Sequence, residues 1–404
     1  MYLTATAKIP QYSELKEAGN LCTKIWNKAN YYCREQWKNT GKIPSYYELQ
    51  RMFKDDFWCR QVHSHTAQAV LHKLSEAYRS WFKLRETDAT ANPPMFRKKN
   101  GVSTITFTKF AIRINDAKME LTLKKGKHIR LNYQLQPNVK ITQKNIVRIE
   151  VKNGFANIVY RVEEPPLKQN GQVMGIDLGV INTATTVKED GEARIYTGKG
   201  LLSTQRYFNK EVARVQSVVM KQSKGKKKWS RKLSELARKK RRQIKHALHA
   251  QTKAIVEDCV KSNVNVVVVG DLKNIRKQRS DTKNAKKLAR ARSLGRKTNQ
   301  KFHAWSFKQF TDTLQYKLRL KGIQLVSVNE KSTSKTCSKC GNMRKRNRKT
   351  RGSYVCNKCG YKINADVNAA INILKKYLQP FGRSSANVGL AKVIRWDGNI
   401  LFEL

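Results

Sequence analysis

Thr333-Ser-Lys-Thr-Cys-Ser-Lys-Cys-Gly341 and Val355-Cys-Asn-Lys-Cys-Gly-Tyr-Lys-Ile-Asn-Ala-Asp-Val-Asn-Ala-Ala-Ile-Asn-Ile-Leu374 are the stretches that decide how this chain folds. The two Cys-x-x-Cys pairs, Cys337/Cys340 and Cys356/Cys359, have the spacing of a closed tetrahedral zinc knuckle. In such a site four thiolates offset the dication and hold a loop too small for a core of its own. A helix is expected next, with an acid on its wrong side. Counting from Asp366, Ala369, Ala370 and Ile373 lie at i+3, i+4 and i+7, so the carboxylate shares the face that should be buried. A charge there calls for a metal, a cation or a neutralising proton. The plainer alternative is that Asn364 or Asp366 caps the helix N-terminus.

The rest of the chain narrows the setting. Its 404 residues suffice for two or three domains, and 39 % hydrophobic content makes it globular. Lys and Arg number 83 against 29 Asp and Glu, a formal net charge of +54. Self-repulsion on that scale is tolerable beside a polyanion, and nucleic acid is the expected one. No run of roughly 18 apolar residues, signal-peptide core or lipidation motif is visible, so no membrane partner is expected. Cys22, Cys33, Cys59 and Cys259 sit among apolar neighbours, as buried thiols do, which points to an intracellular setting.

Outward from the cysteines, periodicity divides the chain. A strand at Tyr2 to Ile9 leads into helices over about residues 12–84, where Trp26, Tyr31, Tyr32, Arg34, Trp37 and Lys38 interleave aromatics with cations. That pattern serves either core packing or stacking on unpaired bases. From Ala91 to Arg161 the period becomes two, giving short strands at Thr104–Thr108, Ala111–Ile114, Met119–Leu123, Ile129–Leu131, Ile146–Val151 and Phe155–Val162. Together with the first strand they suggest a small β-barrel carrying a helical insertion. Beyond the linker Glu163-Glu-Pro-Pro-Leu-Lys-Gln-Asn-Gly, strands at Val173–Thr186, Val264–Val269 and Gln324–Val328 alternate with helices. The last two are near-continuous apolar runs, as in a parallel sheet covered on both faces. Basic stretches at Lys221–Lys245 and Lys283–Arg296 suit phosphate contact. His246 and His249 read as helix-surface residues, and His303 and Trp305 as the start of a helix on the sheet.

Asp177, in Val173-Met-Gly-Ile-Asp-Leu-Gly, lies inside an apolar strand between Gly175 and Gly179. A buried strand does not tolerate an unpaired Asp. Asp177 and Asp366 are able to meet at the end of one sheet, an arrangement suited to divalent-ion phosphoryl transfer once a third carboxylate completes the cage.

Asp177-Leu-Gly, the strand end Val269-Gly-Asp-Leu, Thr333-Ser-x-x-Cys-Ser-x-Cys-Gly and Asp366-x-Asn-Ala-Ala-Ile-Asn-Ile together resemble the split RuvC-like nuclease of the TnpB family. These are transposon-encoded, RNA-guided DNA endonucleases related to Fanzors and type V CRISPR effectors. The resemblance covers residues 171–378; earlier residues match only in order of elements. It implies an α/β RuvC-like (RNase H-type) domain split over 166–332 and 361–378, with a zinc ribbon at 333–360. A wedge-like barrel at 1–11 and 91–165, a helical recognition insertion at 12–90 and a C-terminal tail at 379–404 complete the implied plan. It also implies Mg²⁺ and Zn²⁺, a guide RNA from the transposon end and a double-stranded DNA target cut beside a short adjacent motif. Location would be cytoplasmic or nucleoid in a prokaryote and nuclear in a eukaryote.

One departure matters. The family usually places its catalytic Glu immediately before Asp-Leu, where this chain has Gly270, and Asp271 points to the opposite face. Glu330 closes the strand beginning at Gln324. If that strand lies beside the one from Val264, their ends are about 4.8 Å apart, a gap a Glu side chain spans. Fanzors and a branch of TnpB proteins look similar, with an inert residue before Asp-Leu and a Glu ahead of Thr-Ser-x-x-Cys. The expected catalytic, magnesium-holding set is therefore Asp177, Glu330 and Asp366. The competing expectations are that Glu330 merely ends its strand or pairs with a Lys, and that the chain is a nuclease-inactive, RNA-guided DNA-binding repressor.

Overall fold

The computed structural model describes residues 1–115, 118–133, 139–225, 229–271, 307–350, 352–381, 392–396 and 401–403. The chain divides into two units, Met1–Glu163 and Glu164–Leu404.

In the first unit β1 (Tyr2–Lys8) precedes α1 (Ser13–Thr40), α2 (Tyr46–Met52), α3 (Phe57–Arg60) and α4 (Ser64–Arg85). Six strands follow: β2 (Ile105–Thr108), β3 (Ile112–Asn115), β4 (Lys118–Lys124), β5 (Lys127–Asn132), β6 (Ile146–Lys152) and β7 (Phe155–Arg161). Helix α1 buries Leu15, Ala18, Cys22, Ile25, Trp26, Ala29 and Cys33, a stripe at three- and four-residue spacing that faces a matching stripe on α4. Its aromatics thus serve mainly the core, although Tyr31 is exposed and Trp37 half-buried. The strands form two antiparallel sheets, β1-β7-β6-β2 and β3-β4-β5. A 3-10 turn at Lys109–Ala111 interrupts the chain between β2 and β3. Among the described residues no ladder joins the two sheets into the barrel that the alternation suggested.

The second unit is built on a seven-stranded mixed sheet of order β12-β11-β8-β9-β10-β15-β16. Its strands are β8 (Gln172–Asp177), β9 (Asn182–Lys188), β10 (Glu192–Thr197), β11 (Val264–Gly270), β12 (Gln324–Val328), β15 (Lys392–Trp396) and β16 (Leu401–Glu403). β8, β11 and β12 run parallel, as the apolar runs led one to expect. The stretch read as one strand, Val173–Thr186, is two. The chain turns back at Leu178–Ile181, where a Cβ on Gly179 would lie 2.6 Å from the Asn182 carbonyl oxygen. The segment after residue 378, expected as a tail, contributes the last two strands of the sheet, β15 parallel to β10 and β16 at the edge.

Helices α5 (Lys199–Gln222), α6 (Arg231–Lys261), α7 (Phe307–Arg319) and α8 (Ala365–Leu378) complete the unit, and a short hairpin of β13 (Ser353–Val355) and β14 (Lys362–Asn364) belongs to the cysteine segment. The two faces of the sheet have different covers. Met174, Ile176, Val267 and Val269 pack with Ile255 of α6 and Phe310 and Leu314 of α7. Val173, Val268 and, less buried, Val266 and Val328 pack with Ile371, Ile373 and Leu374 of α8. Side chains alternate across a strand, so from Val266 onward, past the register shift after Val264, the even positions of β11 face α8, as do the odd positions of β8. Gly270 and Asp177 are therefore on the α8 face. Gly175 brings the helix down onto the sheet, since a Cβ there would stand 2.7 Å from the Ala370 carbonyl oxygen. Among the described residues no helix is long and apolar enough to cross a membrane.

Candidate active site at the strand ends

The C-terminal ends of β8, β11 and β12 and the N-terminal end of α8 bring Asp177, Glu330, Asp366 and Asp271 into one neighbourhood. Asp177 is the last residue of β8. Asp366 occupies the first turn of α8 without capping it. Asn364 is the cap, its Oδ1 accepting from the amides of Asp366 (2.9 Å) and Val367 (3.3 Å). This frees the Asp366 carboxylate, which accepts from Asn182 Nδ2 at 2.8 Å and from an Arg348 guanidinium nitrogen at 3.0 Å. The capping reading thus holds for Asn364, and the Asp366 carboxylate meets a cation, Arg348.

Glu330 follows β12 by two positions, on the side of Val328. Strand β12 pairs with β11 in the register Gly270 to Val328. A Cβ placed on Gly270 would meet Glu330 Oε2 at 2.6 Å and Glu330 Cβ at 3.1 Å. The Glu330 carboxylate therefore lies over the glycine, in the space that a side chain at 270 would enter. The turn after it is fixed locally: the Thr333 hydroxyl and amide both donate to the Glu330 carbonyl, at 2.8 and 3.1 Å.

The carboxylates sense one another. Burial, then the charges of Asp366 and Glu330, hold the Asp177 carboxyl well above the usual carboxylate range, with Arg348 opposing. Burial and the charge of Asp271 push Glu330 up to about 7, with Lys376 opposing. Asp271 thus adds negative charge here although it was not expected among the site residues. Like charges gathered in a partly dry site favour either shared protons or a bound cation. In donor type this set suits a hard divalent ion, with Arg348 as the neighbouring positive charge.

The cysteine cluster forms a second centre. Cys337, Cys340, Cys356 and Cys359 bring their sulfurs within 4.8 Å of one another, with Cys337–Cys359 at 3.8 Å and Cys340–Cys356 at 3.6 Å. Tetrahedral zinc with bonds of about 2.3 Å has edges of about 3.8 Å, so these residues fit the ion. Among the described residues this is the one group of three or more such side chains placed to hold a metal; the acids span a wider space. Each knuckle closes in the same way: the Gly341 amide donates to the Cys337 carbonyl and the Gly360 amide to the Cys356 carbonyl, both glycines at positive φ.

Two features were not anticipated from the residues alone. Asn368 and Asn372, one turn apart and buried, dock α8 against the cysteine segment. Asn368 accepts from the Ser338 amide and donates to the Thr336 carbonyl, and Asn372 donates to the carbonyls of Thr333 and Thr336, both at 2.8 Å. Arg348 is carried to Asp366 by buried Asn347, which donates to the Tyr354 hydroxyl and accepts from the Asn357 amide. Of the other expected contacts, His249 packs beside Tyr316 while His246 is exposed on α6. The segment Lys283–Arg296, His303 and Trp305 lie outside the described residues.

Comparison with known proteins converges on these regions. Residues 157–276 match the family described as "Probable transposase", and residues 307–373 match the "Cas12f1-like, TNB domain". The TnpB-like protein ORF457 of Acidianus two-tailed virus is 24 % identical, the alignment covering 91 % of this chain and 84 % of that one. The putative RNA-guided DNA endonuclease InsQ of Escherichia coli K12 is 25 % identical over 90 % of this chain and 88 % of its own. By these matches the chain is similar to the TnpB/Cas12f-like family of transposon-encoded nucleases. Two solved structures share the TnpB/Cas12f-like fold. One is Cas12f1 in a complex with single-guide RNA and target DNA, with a TM-score of 0.56 at 17 % identity, covering 89 % of this chain and 82 % of that one. The other is the mini-RNA-guided endonuclease CRISPR-Cas_phi3, with a TM-score of 0.51 at 11 % identity, covering 93 % and 92 %. For this TnpB/Cas12f-like chain the mixed sheet is consistent with a RuvC/RNase H-like core bearing a four-cysteine module.

Proposed function

We propose that this protein is an RNA-guided, Mg²⁺-dependent DNA endonuclease that cuts target DNA beside a short adjacent motif, with Asp177, Glu330 and Asp366 as its catalytic carboxylates. One observation carries the reading: Glu330 reaches over Gly270, beside Asp177 and Asp366 and on the side of the sheet covered by α8. The family's usual third carboxylate is absent from the chain at 270, and Glu330 supplies one from the neighbouring strand.

Asp177, Glu330 and Asp366 would hold Mg²⁺, which when bound supplies an activated water and stabilises the departing phosphate oxygen. Asn182 orients the Asp366 carboxylate from β9. Arg348 is placed to neutralise charge beside Asp366. The four cysteines would hold zinc and keep the loop between β12 and α8 in shape, which fixes both Glu330 and Asp366.

The partners follow from the family and from charge. A guide RNA and double-stranded target DNA would meet a chain of formal net charge +54, with base pairing carrying sequence specificity. The plan has the strands of residues 1–11 and 91–165 as a wedge-like domain of two sheets and residues 12–90 as its helical recognition insertion. The nuclease domain then spans 166–332 and 361–378, with the ribbon at 333–360.

A second reading, a nuclease-inactive RNA-guided DNA-binding repressor, is favoured by Gly270 alone. The two separate cleanly. Purified protein with its co-purifying RNA identified should cut a matched target in Mg²⁺, and Glu330→Ala should abolish cutting while leaving target binding nearly intact. Target binding without cutting by the parent protein would establish the repressor instead.

A further inference from the structure

Strand β9 returns antiparallel beside β8 and passes both acids of the α8 face. Asn182, at its start, donates to the Asp366 carboxylate at 2.8 Å. Three residues on, Thr185 stands directly opposite Asp177 in the β8–β9 ladder. Opposed residues of an antiparallel pair point to one face, with Cβ atoms about 4.5–5.5 Å apart, so Thr185 and Asp177 are side-chain neighbours. On its other flank Thr185 is paired with Ile195 of β10. Ile195 and Val187, two positions along β9, pack in the apolar core under α8. Of the two side chains across the ladders, Asp177 is thus the one able to take a hydrogen bond.

Thr185 is 1 % exposed, and its hydroxyl has no hydrogen-bond partner. Its neighbours on the strand are satisfied: Thr183 and Thr186 donate to the carbonyls of Tyr196 and Arg194, at 3.1 and 3.5 Å. A buried hydroxyl left unpaired is destabilising, and a valine of the same shape would avoid that cost. Stability alone therefore favours valine here, and the hydroxyl answers a different need. A carboxylate that ligates a cation keeps lone pairs for a fixed donor, and such donors set its orientation and its affinity for the ion. We propose that Thr185 is a positioning residue for Asp177, its hydroxyl donating to the Asp177 carboxylate when a divalent cation is bound there. Asn182 has the matching place beside Asp366, so β9 supplies one donor to each acid. The inference rests on the reading of Asp177, Glu330 and Asp366 as a cation site.

The test titrates Mn²⁺ into the full-length protein, with bound ion counted by electron paramagnetic resonance, and records thermal melting with no Mn²⁺ added. Thr185→Val should weaken Mn²⁺ binding on the order of 10-fold, while its melting temperature stays level with the parent's or rises. Thr185→Ser keeps the hydroxyl and loses a buried methyl, so it should melt lower yet bind Mn²⁺ nearly as the parent does. A side chain that only packed would tie affinity to stability, and these two variants separate them. Asp177→Asn marks the site and should lose the ion. Equal Mn²⁺ binding by the parent and Asp177→Asn would overturn the cation-site reading, and this inference with it. If Asp177→Asn does lose the ion, three results would overturn the Thr185 assignment and leave that reading standing. They are parental affinity in Thr185→Val, a lowered melting temperature in Thr185→Val, or equal weakening in Thr185→Ser and Thr185→Val.

Discussion

Glu330 Oε2 lies 2.6 Å from the point where a Cβ on residue 270 would stand. Gly270 and the present position of Glu330 therefore require one another. The obstructed atom is the mobile end of a side chain, so Gly270→Ala should displace the carboxylate and spare the fold. Its melting should stay within about 0.5–1 kcal/mol of the parent. Cleavage should fall on the order of 100-fold, the scale of loss when a reacting group shifts by about an ångström. Single-turnover cleavage and thermal melting, measured side by side, check this. An unchanged rate would mean that the position of Glu330 is irrelevant to the chemistry.

Glu330 also predicts a pH dependence. Burial and the charge of Asp271 raise it to about 7 in the folded chain, above the ordinary Glu value of about 4.3. The folded state keeps a proton that the unfolded chain has released. The associated stability is complete below the unfolded value and is lost as pH rises through about 7. Glu330→Gln has no such proton to lose. With zinc retained and no Mg²⁺ added, its melting temperature should fall less than that of the parent between about pH 5 and about pH 8. Parallel curves would show that the carboxylate is not held in a repulsive site.

The parts of this site legible in the residues are those whose chemistry demands a residue type at a fixed spacing. The cysteine pairs, Asp177 within an apolar strand and Asp366 on an apolar helix face were each conspicuous against their surroundings. The parallel arrangement of β11 and β12 was legible for the same reason, in runs of valine and leucine without alternation. Arg348 was not, because one guanidinium among 83 cations carries no signal until a carboxylate is found 3.0 Å away. Asn368 and Asn372 were quoted as part of a motif, but their partners are carbonyls some 30 to 40 positions earlier, beyond any local pattern. The turn at Leu178–Ile181 was missed because valine, isoleucine and threonine continue through it. The strands β15 and β16 are too short to announce themselves.

The docking asparagines lead to a test that links the ribbon to the acids. Asn372 is buried and donates to the Thr333 and Thr336 carbonyls, and Thr333 in turn fixes the Glu330 carbonyl. Asn372→Ala leaves two carbonyls without that donor, at a cost of about 1–3 kcal/mol. Cleavage should fall further than that loss of stability explains at a temperature where the variant remains folded. Urea titration together with cleavage below the melting transition measures both. A stability loss with full activity would separate the ribbon from the placement of Glu330.

Zinc removal should act through the fold. The four sulfurs sit on a segment whose buried side chains, Tyr354 and Asn347 among them, pack around the knuckles. Metal binding there is folding free energy, so Cys356→Ser should expose the region of residues 333–364 to protease and lower the first melting transition. Stoichiometric zinc in the parent, measured by elemental analysis, should drop in the variant. Equal zinc content and an unaltered digest in Cys356→Ser would refute a structural zinc at these cysteines.

Under the proposed function, Arg348 would compete with a divalent cation for the same carboxylate. Its guanidinium bonds Asp366 at 3.0 Å and opposes the upward shift of Asp177. Arg348→Met removes a positive charge from a cluster of acids while keeping most of the side-chain length. Mg²⁺ should therefore bind a few-fold more tightly, as expected from about 0.5–1 kcal/mol for a partly exposed ion pair. Cleavage should nevertheless slow, because the phosphate loses the cation beside Asp366. Calorimetric titration of Mg²⁺ gives the first quantity and saturating-Mg²⁺ kinetics the second. Weaker Mg²⁺ binding in the variant would assign Arg348 to holding the acids in place, because losing a mere competitor cannot lower metal affinity.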